Sequence, residues 1–246
     1  MEKIVLNQVS NPGISFTKNV NEKILALYDF LNSNNKNCTY QQFQEDLINS
    51  QIFTGSYIRS FIPFLYNAGI INDYNNGIAY NDLFTKNGLL YVQIVRNIKN
   101  ASDSNIDLSK MLVIKSDLLC MSLDYMIKSK YKFYDKYLDI LKFIKKYRTI
   151  NREEFYIMEY CLQNSYNYDD YINAYRNESK QYDIYINSNN DEVLSYRSNN
   201  AFNYLIAFLS EEQCNYLKKL NQGDYIINEE REKFIDLVLN SEGDVK

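Results

Sequence analysis

Acids, lysines and tyrosines carry the chemical potential of this sequence, because it contains no histidine. Ser-His-Asp and Cys-His catalysis, His-ligated zinc and imidazole proton transfer are therefore excluded. Metal-dependent carboxylate chemistry stays open. Glu178-Ser179-Lys180 has the acid-x-Lys form, with Asp169 and Asp170 upstream. In a metal-dependent nuclease such acids hold ions that activate water. Here the tripeptide sits in a polar Tyr/Asn stretch without an apolar strand to carry it, and it reads as chance. A tyrosine nucleophile would need a spaced arginine set or a histidine cluster, and neither is present. Tyr166, Tyr168, Tyr171, Tyr175, Tyr182 and Tyr185 read as rings packed at helix rims, with an adhesive surface as the functional alternative. Cys38, Cys120, Cys161 and Cys214 include no CxxC pair, so free thiols in a reducing cytoplasm are expected rather than zinc or a disulfide scaffold. No cofactor, metal ligand set or catalytic residue is expected, and an enzymatic role is disfavoured.

Charge is distributed unevenly. The net charge is −4. Residues 128–152 nevertheless hold nine bases against two acids, and residues 153–197 hold nine acids against three bases. The basic run suits a phosphate backbone, which lysine contacts without regard to sequence. A solvated helix face explains it equally well.

The elements that would position these residues are mainly helical. With 7 Gly and 2 Pro, the 246-residue chain has too few turn residues for an all-β fold or a Gly-rich phosphate loop. Residues 1–18 look irregular, with a turn at Asn11-Pro12-Gly13. Apolar spacing predicts helices from Asn21 to Leu31, from a Thr39/Gln42 capping box onward, and from Ser56 to Ala68. Pro63 should kink the last of these. Ile70-Ile71, a polar turn at 73–77 and Ile78-Ala79-Tyr80 read as a hairpin. A helix through Leu89 and Val95 follows. After a linker at 101–109 and a long helix from Lys110 to Lys130, the order repeats. It comprises a helix at Tyr137–Tyr147, a capped helix from Asn151, an insertion at 163–197, a helix from Ala201, a second hairpin around 216–227, and a final helix after Asn228. No run is long and apolar enough for a signal peptide or membrane span, so a cytoplasmic protein is expected.

Helix, helix, helix, hairpin, helix is the order of a winged helix-turn-helix. The expected fold is mainly α, with two such domains, each a three-helix core plus a β-hairpin wing. Their boundaries are 1–105 and 106–246, the second carrying the insertion.

The stretch Ile62-Pro63-Phe64-Leu65-Tyr66-Asn67-Ala68-Gly69-Ile70-Ile71, the hairpin, and Leu83-Phe84-Thr85-Lys86-Asn87-Gly88 together resemble the DNA-recognition region of type IIS restriction endonucleases. The likeness covers about nine-tenths of the chain by element order and implies tandem winged helices that bind DNA. The cleavage domain of that family is not found here.

The expected function is sequence-specific binding of double-stranded DNA. The settings are the recognition subunit of a restriction or defence system, beside a catalytic or effector subunit, and a phage or plasmid regulator. Base contacts are expected from Ser56, Arg59, Ser60, Asn199, Asn200 and Asn203, with Thr54, Asn67 and Ser198 nearby. Phosphate contacts are expected from Lys128, Lys130, Lys142, Lys145, Lys146, Arg148, Lys218 and Lys219, with Gln222 in the second wing. One alternative is a winged-helix protein-interaction module in a larger complex. A second is a small metal-dependent restriction endonuclease with its acids in 163–197.

Overall fold

The computed structural model describes residues 2–101, 107–187, 193–220 and 223–241. Among them the chain is mainly α-helical, with short strands gathered into small sheets. Contacts divide it into two compact units. The first comprises Gly13–Asp135 and Glu212–Cys214. The second comprises Met1–Pro12, Lys136–Glu211 and Asn215–Asn240.

In the first unit, α1 (Lys18–Ser33) starts where the Thr17 hydroxyl accepts from the Val20 amide. Its buried stripe is Val20, Ile24, Leu25, Leu27 and Leu31. Strand β2 (Asn37–Cys38) leads into α2 (Tyr40–Asn49), which has the full Thr39/Gln42 capping box. Helix α3 (Gly55–Asn67) buries Ile58, Phe61, Ile62, Phe64 and Leu65 and runs through Pro63. The side-chain amide of Asn67 donates to the Pro63 carbonyl at 2.7 Å, adding a local tie next to the proline. Gly69, at φ 67°, ends α3 in the left-handed conformation. There the Gly69 amide donates to Tyr66 and the Ile70 amide to Leu65, so two terminal carbonyls are satisfied.

The expected 70–80 hairpin is corrected. Ile78 and Ala79 form β3 and pair with Cys38 and Asn37 of β2, while Ile71 bridges to Phe84. The chain after α3 thus returns to a strand preceding α2. Thr85 opens α4 (Lys86–Ala101), and α5 (Ser109–Lys128) also groups with this unit.

The second unit repeats the sequence of elements. It runs α6 (Tyr134–Tyr147), β4 (Thr149–Ile150), α7 (Arg152–Gln163), the insertion, α9 (Ala201–Leu209), β7 (Leu217–Lys219), β8 (Tyr225–Ile227) and α10 (Glu232–Ser241). Strand β8 lies between β4 and β7, both antiparallel to it. Asn151 and Glu154 cap α7 reciprocally.

Two expectations about irregular segments are corrected here. Residues 2–6 form β1 and pair in parallel, in register, with β5 (Tyr182–Asn187). The insertion supplies α8 (Tyr168–Asn177), β5 and β6 (Val193–Ser195), so the stretch read as lacking an apolar strand contains one. Ile184 and Ile186 are buried beside Ile4 and Leu6. Arg176 fixes α8 to the α6–β4 corner. Its Nε donates to Glu154 at 2.5 Å, and its terminal nitrogens donate to the Tyr147 and Thr149 carbonyls at 3.0 and 2.9 Å.

Candidate nucleic-acid interface

Helix α3 separates its residues cleanly. Ser56, Arg59 and Ser60 are exposed at positions i, i+3 and i+4, opposite the buried aromatic and aliphatic stripe. Arg59 has no ion-pair partner among the described residues, so its guanidinium is free to fork onto a planar acceptor. Thr54 and Ser56 share a hydroxyl contact at 3.3 Å, and the Ser60 hydroxyl donates to the Tyr57 carbonyl. Asn67 is spent on Pro63.

The loop of the first unit is less suited to phosphate. Tyr74 packs against Tyr40 at 4.8 Å and Tyr66 at 5.6 Å, which folds the loop onto α2 and α3. Asp73 accepts from the Asn75 amide and from the side chains of Asn75 and Asn76. These bonds, led by the Asn75 amide, hold its carboxyl below the usual range and keep it anionic.

In the second unit, Asn200 and Asn203 are exposed at the start of α9, with no side-chain hydrogen bond among the described residues. Asn199 differs. Its amide donates to the Val9 carbonyl at 2.9 Å and accepts from the Tyr156 hydroxyl and the Ala201 amide. An Asn amide has two donor protons and one acceptor oxygen, so this side chain holds the N-terminal segment in place. Ser198 donates to the Ser195 carbonyl. Lys218 and Lys219 lie on the β7–β8 hairpin, without ion pairs among the described residues. Gln222 lies outside those residues.

The basic run is mostly balanced in place. Lys128 pairs with Asp124 at 2.7 Å. Lys145 holds Glu232 and Asp236, each at 2.9 Å, and Arg148 meets Glu232 at 3.0 Å. Lys146 pairs with Asp169 and Lys136 with Glu159. Lys128, Lys145, Lys146 and Arg148 are therefore committed to carboxylates. A lysine that must first leave a carboxylate contributes less to phosphate binding than a free one. Lys142 is exposed on α6, and Lys130 is exposed just after α5.

Lys146 first, and the Tyr147 hydroxyl next, hold Asp169 below the usual carboxylate range. A carboxyl depressed in the folded state stabilises above its unfolded value of about 4, and that contribution is lost as pH falls through the folded value. Asp169→Asn should therefore lower Tm at pH 6 and have a smaller effect at pH 3. A gap between variant and parent that stays constant with pH would contradict this.

The acid-x-Lys stretch is dispersed. Glu178 caps α8, Lys180 pairs with Glu2, and Asp169 faces Lys146. Among the described residues no group of three or more His, Cys, Asp or Glu is gathered to hold a metal ion. None of their helices is long and apolar enough to cross a membrane.

Comparison with protein families, curated proteins and solved structures finds no match. The α3 face and the β7–β8 hairpin thus rest on their own geometry. Sequence reasoning found the exposed positions through helical spacing. It missed the acids of α8 and α10 that neutralise the lysines, because they lie 23 and 87 residues away.

Proposed function

We propose that the protein binds double-stranded DNA with sequence preference through two winged-helix units. The observation that carries this is the solvent face of α3, where an unpaired Arg59 stands between two serines. Supporting it is the strand before α2, which pairs with the strand after α3, an order that the second unit repeats with β4 and β8. In this reading α3 enters the major groove and Arg59 forks onto a guanine edge. Asn200 and Asn203 offer amides suited to adenine. Lys218 and Lys219 contact phosphates. The setting is the recognition subunit of a defence system or a phage or plasmid regulator.

The test is selection from a random duplex pool at two salt concentrations, followed by sequencing. A motif should emerge, with affinity falling at higher salt. Arg59→Ala should cost about 1–3 kcal/mol of discrimination at one base pair. Lys218→Glu with Lys219→Glu should weaken all sequences alike, whereas Lys145→Glu should change DNA affinity little. Retention of no duplex at either salt would sink the reading.

A second reading, a protein-interaction module, is favoured by the local neutralisation of the basic run and by the anionic Asp73 loop. It predicts stable capture of a protein partner by a chain that retains no DNA.

A further inference from the structure

The sequence contains two Asn-Gly pairs, Asn76-Gly77 and Asn87-Gly88. Such a pair carries its own reaction. The glycine nitrogen can attack the asparagine side-chain carbon and close a five-membered ring. Glycine favours this because it has no side chain to obstruct the approach or to restrict the backbone angles needed. Asparagine is thermolabile in proteins. Ring closure depends on the freedom of that nitrogen, and the structure sets the two pairs apart.

Asn87-Gly88 is held. Both residues lie in the first turn of α4. The Gly88 amide donates to Thr85 Oγ1 at 2.9 Å. The Ile70 carbonyl oxygen lies 1.9 Å from where a Cβ on Gly88 would stand, so backbone packs directly against backbone. Helical angles fix the Gly88 nitrogen, and bringing it to the Asn87 side chain would mean unwinding the turn.

Asn76-Gly77 is open. Asn75, Asn76 and Gly77 are all exposed in the loop between α3 and β3. Gly77 has φ 106°, and a Cβ there would meet nothing nearer than the Cys38 carbonyl oxygen at 3.9 Å. Exposed loop tips of small and polar residues are where the backbone yields most readily. Asn76 Nδ2 donates to Asp73 Oδ2 at 3.0 Å. That bond engages the nitrogen to be expelled and not the carbon to be attacked. Just downstream, Ile78 is buried and pairs with Cys38 of β2, so the reactive pair abuts a fixed strand.

We propose that Asn76 is a site of spontaneous deamidation in the folded protein and that Asn87 is protected from it. The Gly77 nitrogen bonds to Asn76 Cγ and gives up its proton. The Cγ–Nδ2 bond breaks, and ammonia leaves with that proton. Water then opens the succinimide at either carbonyl. Attack at Cγ leaves aspartate; attack at the backbone carbon leaves isoaspartate, which routes the main chain through the side-chain methylene. Either product sets a carboxylate beside Asp73, where an amide had donated to it. A hydrogen bond becomes a like-charge contact, and the loop loosens. The site stands whether or not the chain binds DNA.

The experiment incubates the full chain at pH 8, folded and in concentrated guanidinium chloride. Samples are digested at intervals, and peptide mass spectrometry follows both pairs. In the folded chain, position 76 should convert at least about tenfold faster than position 87. In denaturant, with the Thr85 and Ile70 contacts gone, the two rates should fall within about threefold of each other. Aspartate and isoaspartate should both be found at position 76, and hydrogen exchange at 73–77 should be faster in the converted chain. Equal conversion of the two pairs in the folded chain would overturn the proposal. So would an intact position 76 in the folded chain. Aspartate without isoaspartate would mean direct hydrolysis and would overturn the ring-closing step, and unchanged exchange at 73–77 would overturn the loosening of the loop.

Discussion

Gly88→Ala is expected to destabilise the first unit by about 3 kcal/mol or more, at or beyond the top of the usual range for overpacking. Helix propensity alone points the other way, since Ala is favoured over Gly by about 1 kcal/mol in a helix. Packing decides. A Cβ at Gly88 would lie 1.9 Å from the Ile70 carbonyl oxygen, a backbone atom with no rotamer to escape into. That oxygen also accepts from the Thr85 amide at 3.0 Å, and Thr85 Oγ1 donates to the Gly69 carbonyl at 2.7 Å while accepting from the Gly88 amide at 2.9 Å. The start of α4 is thus clamped to the end of α3 through Gly69, Ile70, Thr85 and Gly88, and a Cβ on Gly88 pries that clamp open. Gly55→Ala is the matched control. Its Cβ would meet only the Ile48 side-chain tip at 3.3 Å, so Tm should barely move. For Gly88→Ala, Tm should fall by on the order of 10 °C. Equal Tm values for the two variants would contradict the clamp.

The same clamp explains why part of the fold was legible. Thr85-Lys86-Asn87-Gly88 was singled out as a pattern, and the structure gives it a cause in close backbone approach. Both capping boxes, Thr39/Gln42 and Asn151/Glu154, were readable because their partners lie three residues apart. Helix faces followed from the spacing of Phe61 and Leu65 or of Leu138 and Leu141. The illegible features all join distant residues. Nothing near Glu2–Leu6 announces that its strand partner starts at Tyr182. The Ile70–Tyr80 stretch looked like a self-contained hairpin because its turn residues are local, whereas the strand that Ile78 pairs with lies before α2. The candidate interface was legible in the same uneven way. Arg59 stands where helical spacing put it. Asn199 looked like its neighbours Asn200 and Asn203, yet it is fastened to Val9, 190 residues away. A local charge count likewise overstated the basic run, because the acids that balance Lys145 come from α10.

Deleting residues 2–9 is expected to unfold much of the second unit while leaving the first protected. Ile4, Leu6 and Val9 are at most 2% exposed, and each belongs to a segment that enters the second unit from the far end of the chain. Truncating one buried aliphatic side chain to alanine costs about 2–5 kcal/mol. Losing three, with the β1–β5 hydrogen bonds, exceeds the whole stability of about 5–15 kcal/mol that a domain commonly has, or comes close to it. The side chains that grip the segment would also be stranded. Gln163 accepts from the Asn7 amide at 2.8 Å, and Asn199 donates to the Val9 carbonyl. Strand β5 would present a bare edge, inviting association between chains. Hydrogen exchange followed by mass spectrometry separates the units. Amides of 136–187, 193–211 and 215–220 should lose protection, and those of α1 to α4 should keep it. Leu6→Ala is the milder form, expected to lower stability by about 3 kcal/mol. Lys3→Ala, which removes only an exposed ammonium 5.0 Å from the Tyr185 ring, should change stability by less than about 1 kcal/mol. Retained protection across α7 to β5 in the deletion would mean that the strand decorates a unit already complete without it.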